Sequence, residues 1–217
     1  MAATVKDEEA IAVAKTLKNI PWCEDYEKMI SGMLYNAFVP ELVDSRFKAR
    51  RFMHKYSNAF PDDATPESLT ALRTDMLQGI LGKAGKDVYI EPPFSIDYGT
   101  NIILGDNVYA NFNLIILDCA LVRIGNRVMF GPSVSIFAAT HETEVQSRRD
   151  NIEYAKGVVI GDDCWIGGNA TIMPGVTIGK GCTIGAGSVV TKDIPDFSVA
   201  IGAPAKVVKK VAPLPDL

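Results

Sequence analysis

The stretch Ile160–Val190, "IGDDCWIGGNATIMPGVTIGKGCTIGAGSVV", decides the fold. An isoleucine or valine stands at positions 160, 166, 172, 178, 184 and 190, and glycine follows directly at 161, 167, 179 and 185. Four residues after each of the first five leads the side chain is small or β-branched: Cys164, Ala170, Val176, Cys182 and Ser188. A period of six matches neither the 3.6 of a helix nor the 2 of a half-buried strand. Fixed short repeats of this kind build a β-solenoid, in which each hexad gives a short strand and a turn and three hexads close one triangular coil. The lead residue points into the prism, and the glycine is expected to relieve the backbone at the turn. Stacking the coils buries one aliphatic column, at about 25 cal/mol per Å2 of apolar area removed from water.

Traced backward, the same beat runs through Ile90, Ile96, Leu104, Ala110, Ile116, Ile124, Phe130 and Ile136. Its small companions are Thr100, Val108, Ala120, Val128 and Val134. Two steps of eight, Ile96 to Leu104 and Ile116 to Ile124, mark two-residue insertions. The spacing does not fix the hand of the coil; the general rule for parallel crossovers favours right-handed ones.

Between Ile136 and Ile160 the beat stops and charge replaces it, in "FAATHETEVQSRRD" (Phe137–Asp150). The interval is a multiple of six, so the repeat resumes in phase. One of the two histidines, His141, lies inside this break. Interrupting loops on a rigid scaffold are favoured places for functional residues. His54, in "RRFMHKY" on a helical stripe among Arg and Lys, reads as a surface residue.

Before residue 87 the apolar spacing is helical. Tyr26, Met29, Ile30 and Met33 make one stripe; Leu42, Ala49, Phe52, Met53 and Tyr56 a second; Leu69, Leu72, Met76, Leu77 and Ile80 a third. The third starts at Thr65 as N-cap with Pro66 in the first turn and stops near "GKAGK". The expected organisation is an extension over 1–20, either a further short helix or a mobile stretch, then a helical segment over 21–86. A β-helix over 87–195 with a loop at 138–157 follows, and a tail over 196–217 ends the chain.

The bulk numbers bound the function. A chain of 217 residues can bury a sizeable core, and a net charge of −4 argues against nucleic acid or an anionic membrane as main partner. No run of 18 or more apolar residues exists, so no bilayer span is expected. The start "MAATVKDEEAIAVAKTLKN" lacks the basic and apolar regions of a secretory signal, so a cytoplasmic protein is expected. Cys23, Cys119, Cys164 and Cys182 form no CxxC pair and no metal-ligand cluster with the histidines, and read as reduced, buried thiols.

The hexads and "EKMISGMLYNAFVPELVDSRFKAR" resemble the maltose and galactoside O-acetyltransferases, the nodulation-type sugar acetyltransferases included. So do "EPPFSIDYGTNIILGDNVYANFN", "ATHE", "DDCWIGGNATIMPGVTIGKGCTIGAGSVVTKDIP" and "GAPAKVV". The resemblance runs from about Tyr26 to Val208. It implies a mainly β fold, a left-handed parallel β-helix of hexapeptide repeats with an N-terminal helical segment. It also implies a homotrimer, active sites between adjacent subunits, and acetyl-coenzyme A as acetyl donor to a sugar or glycoside, with no metal.

The resemblance places the catalytic base on His141. The chemistry suits an imidazole, because a sugar hydroxyl is a poor nucleophile near neutral pH and needs a group of pKa about 6.5 to take its proton. Transfer can then be direct, through an oxyanion that needs a hydrogen-bond donor. On the acceptor side the resemblance implies Asn111 in "NFN", Asp97 in "IDYG" and Asn36 in "LYNA", with Asn111 also suited to steadying the oxyanion. Two departures touch the sugar: the family often carries aspartate at the place of Asn36, and "LDC" puts Cys119 where galactoside enzymes carry a second carboxylate, while Asp118 beside it stays an expected acceptor-binding residue. On the donor side it implies Trp165 along the pantetheine arm, Gly168 and Ala186 where backbone approaches that arm, and Thr191 and Lys192 near the nucleotide. Lys206 and Lys209 suit the coenzyme phosphates, as point charges where the family more often has arginine.

Two other readings stand beside this one. The acceptor of a hexapeptide acetyltransferase can be a serine, an antibiotic or an aminosugar. A catalytically silent solenoid serving as an assembly subunit is the different class, and the presence of His141, Trp165 and the basic tail argues against it. A zinc carbonic anhydrase on the same scaffold needs three histidine ligands, which this chain lacks.

Overall fold

The computed structural model describes residues 1–213, so the last four residues of the expected tail lie outside it. From Tyr89 onward the chain winds into a three-faced solenoid of parallel strands. The first face stacks Tyr89–Ile90, Tyr109–Ala110, Met129–Phe130, Trp165–Ile166, Thr183–Ile184 and Ser198–Gly202. The second stacks Phe94–Ile96, Leu114–Leu117, Ser135–Phe137, Thr171–Ile172 and Val189–Val190. Ile102–Leu104, Val122–Ile124, Val158–Ile160 and Thr177–Ile178 make the third.

The hexad leads stand in register up each face: Ile96, Ile116, Ile136, Ile172 and Val190 are direct partners along the second. From Ile90 to Val190 no lead is more than 3% exposed, so the column is continuous. The small companions are also buried, Thr100 and Val128 through Cys182 and Ser188.

The glycines after the leads serve a purpose other than the expected one. The left-handed backbone falls three residues after a lead, at Asn107 (φ 57°), Arg127 (55°), Asp163 (59°) and Asn169 (58°). The glycine itself sits where successive coils nearly touch. A Cβ on Gly125 would lie 2.2 Å from Asp162 Oδ1 and 2.7 Å from Asp162 N, inside any allowed contact. Asn126 N donates to that same Asp162 Oδ1 at 2.8 Å, as Asp106 N does to Asn126 Oδ1 at 2.9 Å, so the corner needs the close approach.

Four helices precede the solenoid, α1 (Glu8–Ala14), α2 (Glu24–Ile30), α3 (Pro40–Ser57) and α4 (Pro66–Ile80), and the last two pack on strands of its first coil. The open choice for residues 1–20 falls to the helix: Asp7 caps α1, and Ile11 and Ala14 are buried. Thr65 caps α4 with Pro66 in the first turn, and Ser68 completes a capping box. α3 packs on Phe94–Ile96, and Tyr56 O–H donates to Ile90 O at 2.7 Å. A fifth helix, α5 (Val145–Arg149), lies within the loop. Among the described residues no helix is long and apolar enough to cross a membrane.

Candidate active site

The three irregularities of the hexad beat stack on one corner, between the second and third faces. Two are the insertions after Ile96 and Ile116; the third is the loop after Phe137. Asp118 joins the first two. Its Oδ1 accepts from Asp97 N at 3.0 Å and Tyr98 N at 2.8 Å, and its backbone O accepts from Asn101 Nδ2 at 2.7 Å. Asp118 is wholly buried, and that burial pushes its carboxyl up to about 7 against the pull of the Tyr98 amide. Asp118, expected on the acceptor side, is held in the chain itself by these bonds and shapes the corner from beneath.

The loop is held from both sides. Ile152–Ala155 pairs antiparallel with Ala139–Thr140 and with Tyr35–Asn36, which follows α2. This puts Glu153 beside His141, with Nε2 3.6 Å from Glu153 Oε2, while Tyr35 O–H donates to Glu153 Oε1 at 2.5 Å. The N-terminal extension adds a further tie, since Ala2 N donates to Glu142 Oε1 at 3.2 Å and Ala3 bridges Met33.

His141 and Glu153 line a cavity of about 460 Å3, within the range of small-molecule sites. Asp97 and Cys119 line it as well, as do Arg46 and Arg50 from α3. Asp97 pairs with Arg50 at 3.0 Å and accepts from Cys119 Sγ at 3.4 Å. Burial holds the Cys119 thiol well above its ordinary range, so it is a neutral group here. Asn36 does not line this cavity; its side chain accepts from Phe38 N at 2.9 Å and shapes the turn into α3. His54 is exposed on the last turn of α3, as read.

The remaining expected residues lie elsewhere on the prism. Trp165 is 51% exposed on the first face, in register with exposed Met129 and with Thr183, and Thr183 pairs in turn with Val199. Val199 pairs with Lys209 on the antiparallel edge strand Ala205–Lys210, which also carries Lys206. At about 4.8 Å per strand, Trp165 and Lys209 stand roughly 14 Å apart on one surface. Asn111, Gly168 and Ala186 follow that face at the corner leading to the second. Asn111 Oδ1 accepts from Phe112 N at 2.7 Å, which leaves its amide N–H groups without a described partner. Gly168 has a packing reason of its own, since a Cβ there would sit 3.1 Å from Pro132. Thr191 and Lys192 are exposed past Val190, on the corner that carries the loop two coils below.

The surface fits an extended thioester donor: an exposed indole, small residues beside it, and two lysines farther along. Sequence reasoning missed Glu153, Arg46, Arg50 and Tyr35. Arg46 and Arg50 show only as an i, i+4 pair beside the second apolar stripe, and Glu153 carries no local signal.

Comparison with known proteins agrees with this geometry. The maltose acetyltransferase hexapeptide capping motif matches residues 28–85, the cap built by α2 to α4, and the bacterial transferase hexapeptide (six repeats) matches 157–192. Nodulation protein L of Rhizobium meliloti is 41% identical over 83% of this chain and 96% of its own. A maltose O-acetyltransferase from Clostridium difficile superposes with a TM-score of 0.82 at 41% identity, covering 88% of this chain and 99% of that one. A galactoside acetyltransferase in complex with coenzyme A superposes at 0.81 and 33% identity, covering 88% and 92%. The chain belongs to the maltose and galactoside O-acetyltransferase family of hexapeptide-repeat acetyltransferases.

Proposed function

We propose that this acetyltransferase moves acetyl from acetyl-coenzyme A to a hydroxyl of a sugar or glycoside, with His141 as general base, in a homotrimer whose active sites lie between subunits. The observation that carries this reading is a separation. The cavity with His141 sits on the corner between the second and third faces; Trp165, Asn111, Gly168 and Ala186 lie on the first face and the next corner. One copy cannot bring them to a common point, whereas a three-sided prism set beside another copy can.

The donor supplies an activated acyl thioester. The cavity supplies the rest. His141 takes the hydroxyl proton as the oxygen attacks the thioester carbonyl and returns it to the coenzyme thiolate as the C–S bond breaks, while Glu153, 3.6 Å from Nε2, stabilises the imidazolium in between. Asp97 accepts from neighbouring sugar hydroxyls, and the free amide of Asn111 from the adjacent copy meets the oxygen on which charge develops. Lys206, Lys209, Thr191 and Lys192 meet the coenzyme's polar end.

The test is mixing. H141A and W165A are each expected to lose transfer to a sugar panel, followed as thiol release, while keeping trimer mass. Trimers refolded from both variants are expected to regain activity, because some interfaces then pair an intact His141 with an intact Trp165. Mixed trimers as dead as their parents, or an H141A rate equal to the parent's, would remove the reading.

A further inference from the structure

The cavity around His141 is more cationic than a neutral sugar requires. Three guanidiniums line it, Arg46, Arg50 and Arg148, against two carboxylates, Asp97 and Glu153. Both carboxylates are engaged within the protein: Asp97 with Arg50, and Glu153 with Tyr35 and His141. Asp118 lies beneath with its oxygens turned to backbone N–H groups.

The other two arginines spend their hydrogen bonds on neutral oxygens. Arg46 donates from Nη1 to Tyr98 O–H at 2.6 Å and from Nη2 to Ala37 O at 2.6 Å. These bonds fix its guanidinium at the cavity wall without neutralising it. Arg148, on α5, donates from Nη1 to Thr143 O at 2.7 Å and Glu142 O at 3.1 Å, the two residues that follow His141. No described carboxylate pairs with either. A chain of net charge −4 has acids to spare, yet two pre-oriented forks face the acceptor cavity unpaired. Arginine is suited to planar or phosphate oxyanions, which it binds through two parallel N–H bonds.

We propose that the acceptor is an anionic sugar derivative, a carboxylate- or phosphate-bearing glycoside whose charge lies between Arg46 and Arg148. This rests on the sugar acetyltransferase reading above and adds the acceptor's chemical class to it. The arrangement also explains why α5 interrupts the loop beside His141: a bound oxyanion would pin Arg148, and with it the carbonyls of residues 142 and 143.

The experiment compares matched acceptors with the intact enzyme: methyl glucoside against methyl glucuronide, and glucose against glucose 6-phosphate. The expected result is a kcat/KM about tenfold higher for the charged member of at least one pair, with the pair itself telling carboxylate from phosphate. R148Q is expected to cut that preference ratio by about tenfold, R148K to restore part of it, and 0.5 M salt to erode it. Equal turnover of both members, or a preference for the neutral one, overturns the anionic acceptor and leaves the sugar reading standing. A preference that R148Q and R46Q both leave intact also overturns it. Transfer to none of the four overturns the sugar reading and this proposal together.

Discussion

Glu153→Gln isolates the electrostatic part of the proposed chemistry. The amide keeps an oxygen for Tyr35 O–H and nearly the same volume, so the strand pairing of Ile152–Ala155 is retained. What it removes is a negative charge 3.6 Å from His141 Nε2. At that distance an imidazolium and a carboxylate attract by about 4.6 kcal/mol in an effective dielectric of 20 and about 1.2 kcal/mol in bulk water. His141 is half exposed and Glu153 is mostly covered, so the working value lies between, at roughly 2 kcal/mol. In the proposed step the imidazole gains charge as it takes the hydroxyl proton, so the loss falls on the transition state and not on binding. We therefore expect kcat to drop about 30-fold with the KM for acetyl-coenzyme A unchanged. The assay is thiol release at saturating donor and acceptor, with thermal melting to confirm an intact fold. A fall of less than threefold in a fully folded variant would refute the assignment of Glu153 as the charge partner of His141.

Gly125→Ala forces a Cβ into Asp162 across the coil interface and is expected to cost about 1–3 kcal/mol, read as a melting point lowered by several degrees. Gly79→Ala is the control: no atom lies within 4 Å of the added Cβ, so the same assay should show no loss or a small gain. Asp118 carries a folded-state pKa raised to about 7 from an ordinary value near 3.9. The native state thus keeps a proton that the unfolded chain has lost, and the stability this gives is full below about 3.9 and lost as pH rises through about 7. Asp118→Asn should flatten the decline in melting temperature between pH 4.5 and 7.5; equal slopes in the two proteins would contradict the shift.

The solenoid is legible in the sequence because its chemistry is local. Each hexad declares its inward residue, and Ile90 through Val190 all arrive in the core. The steps of eight and the charged break are legible too, but only as irregularities in a line. Coiling brings positions 98, 119 and 141 to the wall of one cavity, and nothing in a linear reading says that three separate departures share a corner. Asp118 illustrates the limit: its motif position marks it for the acceptor, while the backbone amides of residues 97 and 98 claim its oxygens. Glu153 is invisible for a related reason, since an antiparallel pairing twelve residues downstream puts it beside His141. The glycines were placed correctly for the wrong cause: φ at Gly125 is unremarkable, and the neighbouring coil excludes a side chain.

The loop departs after Phe137 and rejoins at Val158 with the aliphatic column unbroken above and below. Its stretch 139–153 carries no buried side chain, whereas Ala138 and Ala155 at its ends belong to the core; the outer part is thus set into the prism as a cartridge is into the barrel that receives it. On the proposed function, residues 141–151 can be exchanged between relatives to alter that part of the acceptor cavity, while the buried positions that hold the coils together stay as they were.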